Sequence, residues 1–297
     1  MRVKNGWYDR LEIEKISKSW VEQNCRITKR ELELLEIINS RKLVRRDMLE
    51  VISPSYRNLG INRTKIINKS IRKLYDMFCI DKTHEKKNIG EGNKPAVVAL
   101  DKAGSIILGV KHKQRIRHDI CYFKDKKYTQ RVLPSNISHI NGVNNLEVET
   151  ILCCDMYKDI YINDWVIESP ISLFYGNEKV TLIPDIQMTL KHVRIDSEPF
   201  YAYIEYDTGS EDIRCKEPKT LIDKIIKYRK YKLSGLWKNY YKNFPMVILV
   251  TEDDSRTTFF NSKCKELGVS GYGIYADNYK DFLVYIYDNI LKPQSSF

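Results

Sequence analysis

With 297 residues, of which 42% are hydrophobic and 30% charged, the sequence holds enough apolar side chain for one large or two small packed domains. No apolar run approaches the ~18–20 residues that cross a bilayer, and the N-terminal stretch MRVKNGWYDRLEIEKISKSW lacks the apolar centre of a secretory signal. The seven cysteines are odd in number and form no C-x-x-C pair, so the expectation is free thiols in a cytoplasmic protein, with no zinc site and no membrane partner.

The net charge of +11 is unevenly placed: residues 1–130 carry +14 and residues 131–297 carry −3. A basic half joined to a slightly acidic half points to a polyanion partner for the first half, against the alternative of a basic solvated surface with none. Three helical runs come first. In 27–40, Leu32, Leu34, Leu35, Ile37 and Ile38 form a stripe, and Thr28 is placed to cap it. A second run, 43–52, follows after a short turn. In the third, 62–80, Ile66, Ile67, Ile71, Leu74, Tyr75 and Phe78 recur at three- and four-residue spacing. Its other face carries Arg63, Lys65, Lys69, Arg72 and Lys73, which suits a recognition helix laid against bases and phosphates. A Gly-containing tip then precedes the strand-like AVVAL (96–100) and a short helix in DKAGSIIL. Three helices and a hairpin make a winged helix-turn-helix, with Lys82, Lys86, Lys87 and Lys94 on the wing to track phosphates. This reads as a DNA-binding domain over 27–110, after an extension over 1–26. KHKQRIRH (111–118) and KDKK (124–127) carry the positive charge into a basic linker over 111–134.

Residues 135–297 read as a helix at 135–157 and strands at 160–169, 179–190 and 198–209. A long helix at 216–237 follows, then a strand at 244–251, a helix at 256–267, a strand at 271–276 and a final helix at 278–291. That order predicts an α/β (α+β) domain around a mixed sheet. Two of its strands deliver carboxylates. Parity puts Tyr201, Tyr203, Glu205 and Asp207 on one face of strand 198–209. Asp185 follows Pro184, which cannot donate to a ladder and so marks an irregularity. If the two strands pair, Asp185 and Glu205 converge, and Glu168 at the end of the first strand could join them. Gathered carboxylates repel unless a cation sits between them or one is protonated, and oxygen ligands suit Mg²⁺ or Mn²⁺. The alternative is solvated strand-end acids paired with lysines. Lys219 and Lys224 on the following helix are candidates to neutralise charge on a phosphoryl group.

These residues resemble a known pattern. "PD" at 184–185 with "EYD" at 205–207 resembles a variant of the PD-(D/E)xK nuclease superfamily. The wider chain resembles the replication-relaxation family of plasmids and conjugative elements, through LDKAGSIIL (100–108), SHINGVNNLEV (138–148), Glu168, "PD", IEYDTGSE (204–211), Lys224 and Tyr228, Thr251 and Arg256. The resemblance implies a restriction-endonuclease-like domain over 135–297 and a DNA-binding protein of plasmid or mobile-element replication or mobilisation. It implies a metal-dependent nickase or endonuclease in which Asp185 and Glu205 are metal ligands. Glu168 would be a third ligand or orient a metal-bound water, and Lys224 would stabilise charge. DNA is the implied partner, with a homodimer and replication or transfer accessory proteins as further candidates. One departure stands out: Asp207 occupies the position where the pattern carries lysine. Either Lys224 supplies that charge from the next helix, or the domain is inactive and the protein is a sequence-specific DNA-binding regulator.

Other residues carry weaker signals. His139 matches the family-like "SH" pair, although a lone helical histidine is more often a hydrogen-bonded packing residue, and Cys153 with Cys154 reads as core. Tyr201, Tyr203 and Tyr206 lie near the carboxylates, where a tyrosine nucleophile is conceivable although strand tyrosines usually pack. YKLSGLWKNYYKNF (231–244) mixes lysines with aromatics that could stack on nucleic acid.

Overall fold

A computed structural model gives the fold. It describes residues 2–4, 7–9, 15–85, 90, 92, 94–123, 126–194, 198–209 and 221–291. The chain is mixed α/β and divides into two compact units, Met1–Asn144 and Asn145–Phe297.

The first unit opens with a short antiparallel pair, β1 (Arg2–Lys4) and β2 (Trp7–Asp9), and the helix α1 (Lys18–Asn24). Next come α2 (Lys29–Arg41), β3 (Leu43–Arg45), α3 (Arg46–Ile52), α4 (Pro54–Arg57) and α5 (Arg63–Asp76). They are followed by β4 (Ile80–His84), β5 (Ala96–Leu100) and α6 (Lys102–Ile107). Thr28 caps α2 in a reciprocal box with Glu31, as its place before the apolar stripe predicts. Leu34, Leu35 and Ile38 of α2 and Ile67, Ile71 and Leu74 of α5 are buried, as the helical periodicities predict.

The run 43–52 is not one helix. Leu43–Arg45 pairs antiparallel with β5, giving a three-stranded sheet in the order β3-β5-β4. A sheet partner more than fifty residues away overrides the local helical reading. The expected linker is also structured. It contains the antiparallel pair β6 (Arg117–Phe123) and β7 (Lys126–Val132). Buried Asp81 of β4 ties that hairpin down, accepting from His118 Nε2 at 2.5 Å and Arg131 Nε at 3.1 Å.

The helix α7 (Ile137–Tyr157) supplies its first turns to this unit, where Asn144 donates to the Leu43 carbonyl at 2.8 Å, and its remainder to the second. The second unit continues with β8 (Ile160–Ile167), β9 (Ile171–Tyr175), β10 (Glu178–Leu182), β11 (Ile186–His192) and β12 (Phe200–Asp207). It ends with α8 (Leu221–Ser234), β13 (Met246–Thr251), α9 (Asp254–Leu267), β14 (Gly271–Tyr275) and α10 (Tyr279–Ile286). A five-stranded mixed sheet runs β14-β13-β12-β11-β8, antiparallel from β8 to β12 and parallel from β12 to β14.

The expected strand 179–190 is two strands. The segment 183–185 breaks the run, with β10 paired to β9 in a separate hairpin and β11 placed inside the main sheet. Pro184, which has no N–H to offer, sits at the break. One sheet face packs Tyr203, Val247 and Leu249 beneath Ile225, Tyr228 and Tyr231 of α8 and Phe260 and Cys264 of α9. Gly273 lets β14 approach α9: a Cβ there would stand 2.8 Å from Thr257 Cα. Among the described residues no helix is long and apolar enough to cross a membrane, and Cys25, Cys79, Cys121, Cys153, Cys154 and Cys264 are free thiols.

Candidate functional site

The antiparallel register pairs Ile186 with Ile204, so one step further brings Asp185 opposite Glu205. Both are buried, Asp185 at 9% exposure and Glu205 at 2%. Asp185 Oδ2 accepts the backbone N–H of Tyr206 at 2.9 Å, which locks its carboxylate against β12. Glu205 Oε1 accepts the Tyr228 hydroxyl at 2.6 Å, and Oε2 accepts Lys224 Nζ at 2.7 Å. The same ammonium lies 3.7 Å from Asp185 Oδ1, so one lysine bridges the two acids. Lys224 and Tyr228 are four residues apart on α8, hence on one helical face above the strand.

The electrostatics follow from burial. Glu205 is pushed up to about 7, first by desolvation and then by the neighbouring Asp185 carboxylate, against the opposing pull of Lys224 and Tyr228. Asp185 is also raised, chiefly by desolvation, with Lys224 opposing. Tyr228, buried beside Glu205, is held far above the ordinary phenol range. This phenol therefore acts as a fixed hydrogen-bond donor rather than an ionising group.

Asp207 does not join this pair, although it shares the strand face. Arg256 of α9 claims its Oδ2, and Gly209 N–H donates to its Oδ1 at 2.9 Å. Arg256 also donates to the Gly209 carbonyl at 3.2 Å. This buried guanidinium thus anchors the strand end, a partnership across 49 residues that strand parity alone does not reveal. Glu168 is exposed just beyond β8 with φ of +49°, and its N–H donates to the Asp185 carbonyl at 3.1 Å. The left-handed backbone there is uncommon for a non-glycine residue. The Glu168 charge is close enough to raise Asp185. Among the described residues no group of three His, Cys, Asp or Glu side chains is drawn together tightly enough to hold a metal ion. The expected trio is therefore a tight pair, Asp185 and Glu205, with Glu168 at its edge. Lys219 lies outside the described residues.

In the first unit, Arg63, Lys65, Lys69 and Arg72 lie on the exposed side of α5. Arg63 Nε is 3.5 Å from buried Glu50. Lys73 differs from the expectation: it is half-buried, and its ammonium bonds Glu31 Oε2 at 2.7 Å, tying α5 to the first turn of α2. Burial alone would raise Glu31, yet Lys73 and the Thr28 cap outweigh it and lower the carboxyl. Lys82 Nζ sits 4.6 Å from the Tyr75 ring centroid, and Lys94 is half-buried with its carbonyl 3.0 Å from His84 Nδ1. Lys86 and Lys87 lie outside the described residues.

The replication-relaxation family model matches residues 35–247, most of the first unit and the second through the start of β13. The chain belongs to the replication-relaxation family. Among curated proteins no relative is matched. Among solved structures it is similar to protein VC1899 from Vibrio cholerae, at 12% identity and a TM-score of 0.31. That match covers 92% of this chain and 57% of the other, so the chain spans little more than half the length of that structure.

Proposed function

We propose that this family member binds DNA through its first unit and cuts one strand at the Asp185–Glu205 pair, in plasmid or mobile-element replication or mobilisation. The observation that carries the reading is one ammonium bridging two buried carboxylates that stand opposite each other on adjacent strands. The first unit is read as a winged helix-turn-helix with α5 as its recognition helix. The exposed Arg63, Lys65, Lys69 and Arg72, on a unit with so large a positive excess, support that reading. The second is read as restriction-endonuclease-like, on its mixed sheet and the placing of Asp185, Glu205 and Lys224.

The donor set fits a hard divalent cation. Two carboxylates raised chiefly by burial, Glu205 further by Asp185 and Asp185 further by Glu168, form a site whose repulsion a cation would relieve, with Glu168 at its edge as a further oxygen ligand. Asp185 and Glu205 would hold Mg²⁺ or Mn²⁺, which when bound supplies Lewis-acid polarisation of the phosphate. The chain's own contributions are separate. Lys224, at 37% side-chain exposure, can turn its ammonium toward phosphoryl oxygens as charge builds on them. Tyr206 N–H and Tyr228 OH fix the two carboxylates. In the hydrolysis a water oxygen bonds to phosphorus, the P–O bond to the leaving oxygen breaks, and the water proton goes to solvent as the leaving oxygen is protonated.

A second reading is favoured by Asp207. It stands where the nuclease pattern has lysine and is committed to Arg256. On that reading the second unit is inactive and the protein is a sequence-specific DNA-binding regulator. Supercoiled plasmid carrying the cognate region separates the two. Under the nuclease reading, Asp185→Ala abolishes nicking and leaves DNA affinity nearly unchanged. A wild-type protein that binds the DNA but cuts it under no metal leaves the regulator.

A further inference from the structure

We infer that a cavity beside the carboxylate pair receives an unpaired nucleotide of the strand being cut, so that the substrate is single-stranded or locally opened DNA. This rests on the nuclease reading above. The cavity, about 320 Å³, lies on the same sheet face as Asp185 and Glu205 and within the same unit. Its floor follows from the register. Thr189 pairs with Tyr201 and Asp164, and Gln187 pairs with Val166, so these side chains share one face with Asp185. The helix α8 covers that face over β12 and β13. Over β8 it is open, and Val166 is exposed.

Two features suit a base rather than a phosphate or an apolar ligand. The wall is aromatic on one side. Tyr201 and Tyr241 meet edge to face at 4.9 Å, and Tyr240 beside them is 74% exposed, offering its ring to a partner. The other side is mixed polar. Thr189, at 7% exposure, lines the cavity and its hydroxyl makes no hydrogen bond among the described residues. Gln187, whose amide nitrogen donates to the Ser169 carbonyl at 2.9 Å, keeps its amide oxygen as an acceptor; Asn163, which donates to Asp164, also keeps its oxygen; and Lys191 adds a donor. The Asp164 carboxylate disfavours a phosphate there, while a base edge uses both donors and acceptors. A volume near the lower end of the ~300–1,000 Å³ of ligand pockets matches one nucleotide. Spacing fits as well. At ~3.3 Å per residue, Gln187 and Thr189 lie roughly 7 and 13 Å along β11 from Asp185. A strand with its scissile phosphate at the pair therefore carries a base one or two nucleotides away over the cavity.

The test uses the full chain in EDTA, so that nothing is cut, with single-stranded DNA carrying 2-aminopurine or an abasic site at successive positions. The expected result is quenching at one position, at which the abasic substitution weakens binding about tenfold, as loss of one stacked base does. Tyr240→Ala, an exposed substitution that leaves the core intact, abolishes the quench and the sensitivity to the abasic site. Tyr240→Phe retains both, and duplex binding is unchanged in either variant. Equal binding of intact and abasic strands by wild type, or quenching that survives Tyr240→Ala, overturns the inference. Nicking without any quenched position sinks the nucleotide cavity alone. Quenching without nicking under any metal sinks the cut and leaves the cavity standing.

Discussion

Glu205 makes the stability of this protein depend on pH in the direction opposite to an ordinary salt-bridged carboxylate. Its carboxyl rises from the usual 4.5 to about 7 on folding, because burial and then Asp185 penalise the charged form more than Lys224 and Tyr228 favour it. A group that holds its proton more tightly when folded favours the folded state where it is protonated. Stability therefore falls as pH rises from about 4.5 through about 7. At about 1.4 kcal/mol per pH unit, the loss across that window is on the order of 3 kcal/mol. Glu205→Gln keeps an acceptor for the Tyr228 hydroxyl and removes the titration. Urea unfolding midpoints, taken without divalent metal between about pH 5 and pH 8, should show wild type losing stability relative to Glu205→Gln, with most of the change below pH 7. Because Asp185 and Glu205 interact, the difference between the curves reports Glu205 together with its coupling to Asp185. Parallel curves across the whole range would refute the claim that this carboxylate is held at a cost.

The same carboxyl links metal to pH: Mn²⁺ affinity should rise up to about tenfold per pH unit below pH 7 and level off above it, read by calorimetry at several pH values. Arg256→Ala strips Asp207 and the Gly209 carbonyl of a buried guanidinium and should cost about 3 kcal/mol in thermal or urea unfolding. Lys65→Ala with Lys69→Ala should lower DNA affinity and flatten its salt dependence by about two in log–log slope. Lys73→Ala should instead destabilise the first unit by about 1–3 kcal/mol through Glu31, with little change in that slope.

Much of this arrangement was legible in the residues. The stripes of α2 and α5 and the Thr28 cap are short-range patterns, and they fold as such. The placing of Asp185 against Glu205 follows from strand parity and a proline that interrupts the run. Other parts depend on tertiary partners. Leu43–Arg45 is a strand because β5 is beside it, and the hairpin of β6 and β7, dense in lysine and arginine, is held by Asp81. Parity puts Asp207 on the same face as Glu205, but it reports a face, not which helix covers each position along it, and so does not reveal the Arg256 partnership. The β9–β10 hairpin carries a local signal in the sequence. Gly176-Asn177 forms a two-residue connection with φ of +60° at the glycine, between alternating Ile171, Leu173, Val180 and Leu182. A run of similar β-formers through Ile183 masked the break that Pro184 imposes.

The measurement that bears most directly on the central claim is a Mn²⁺ titration of wild type and Asp185→Ala, each then incubated with supercoiled plasmid carrying the cognate region. The account predicts that wild type binds the cation and converts the plasmid to the nicked form, whereas Asp185→Ala does neither and still binds the DNA. A wild-type protein that takes up no divalent cation and leaves the plasmid supercoiled would contradict it. So would an Asp185→Ala protein that nicks as well as wild type.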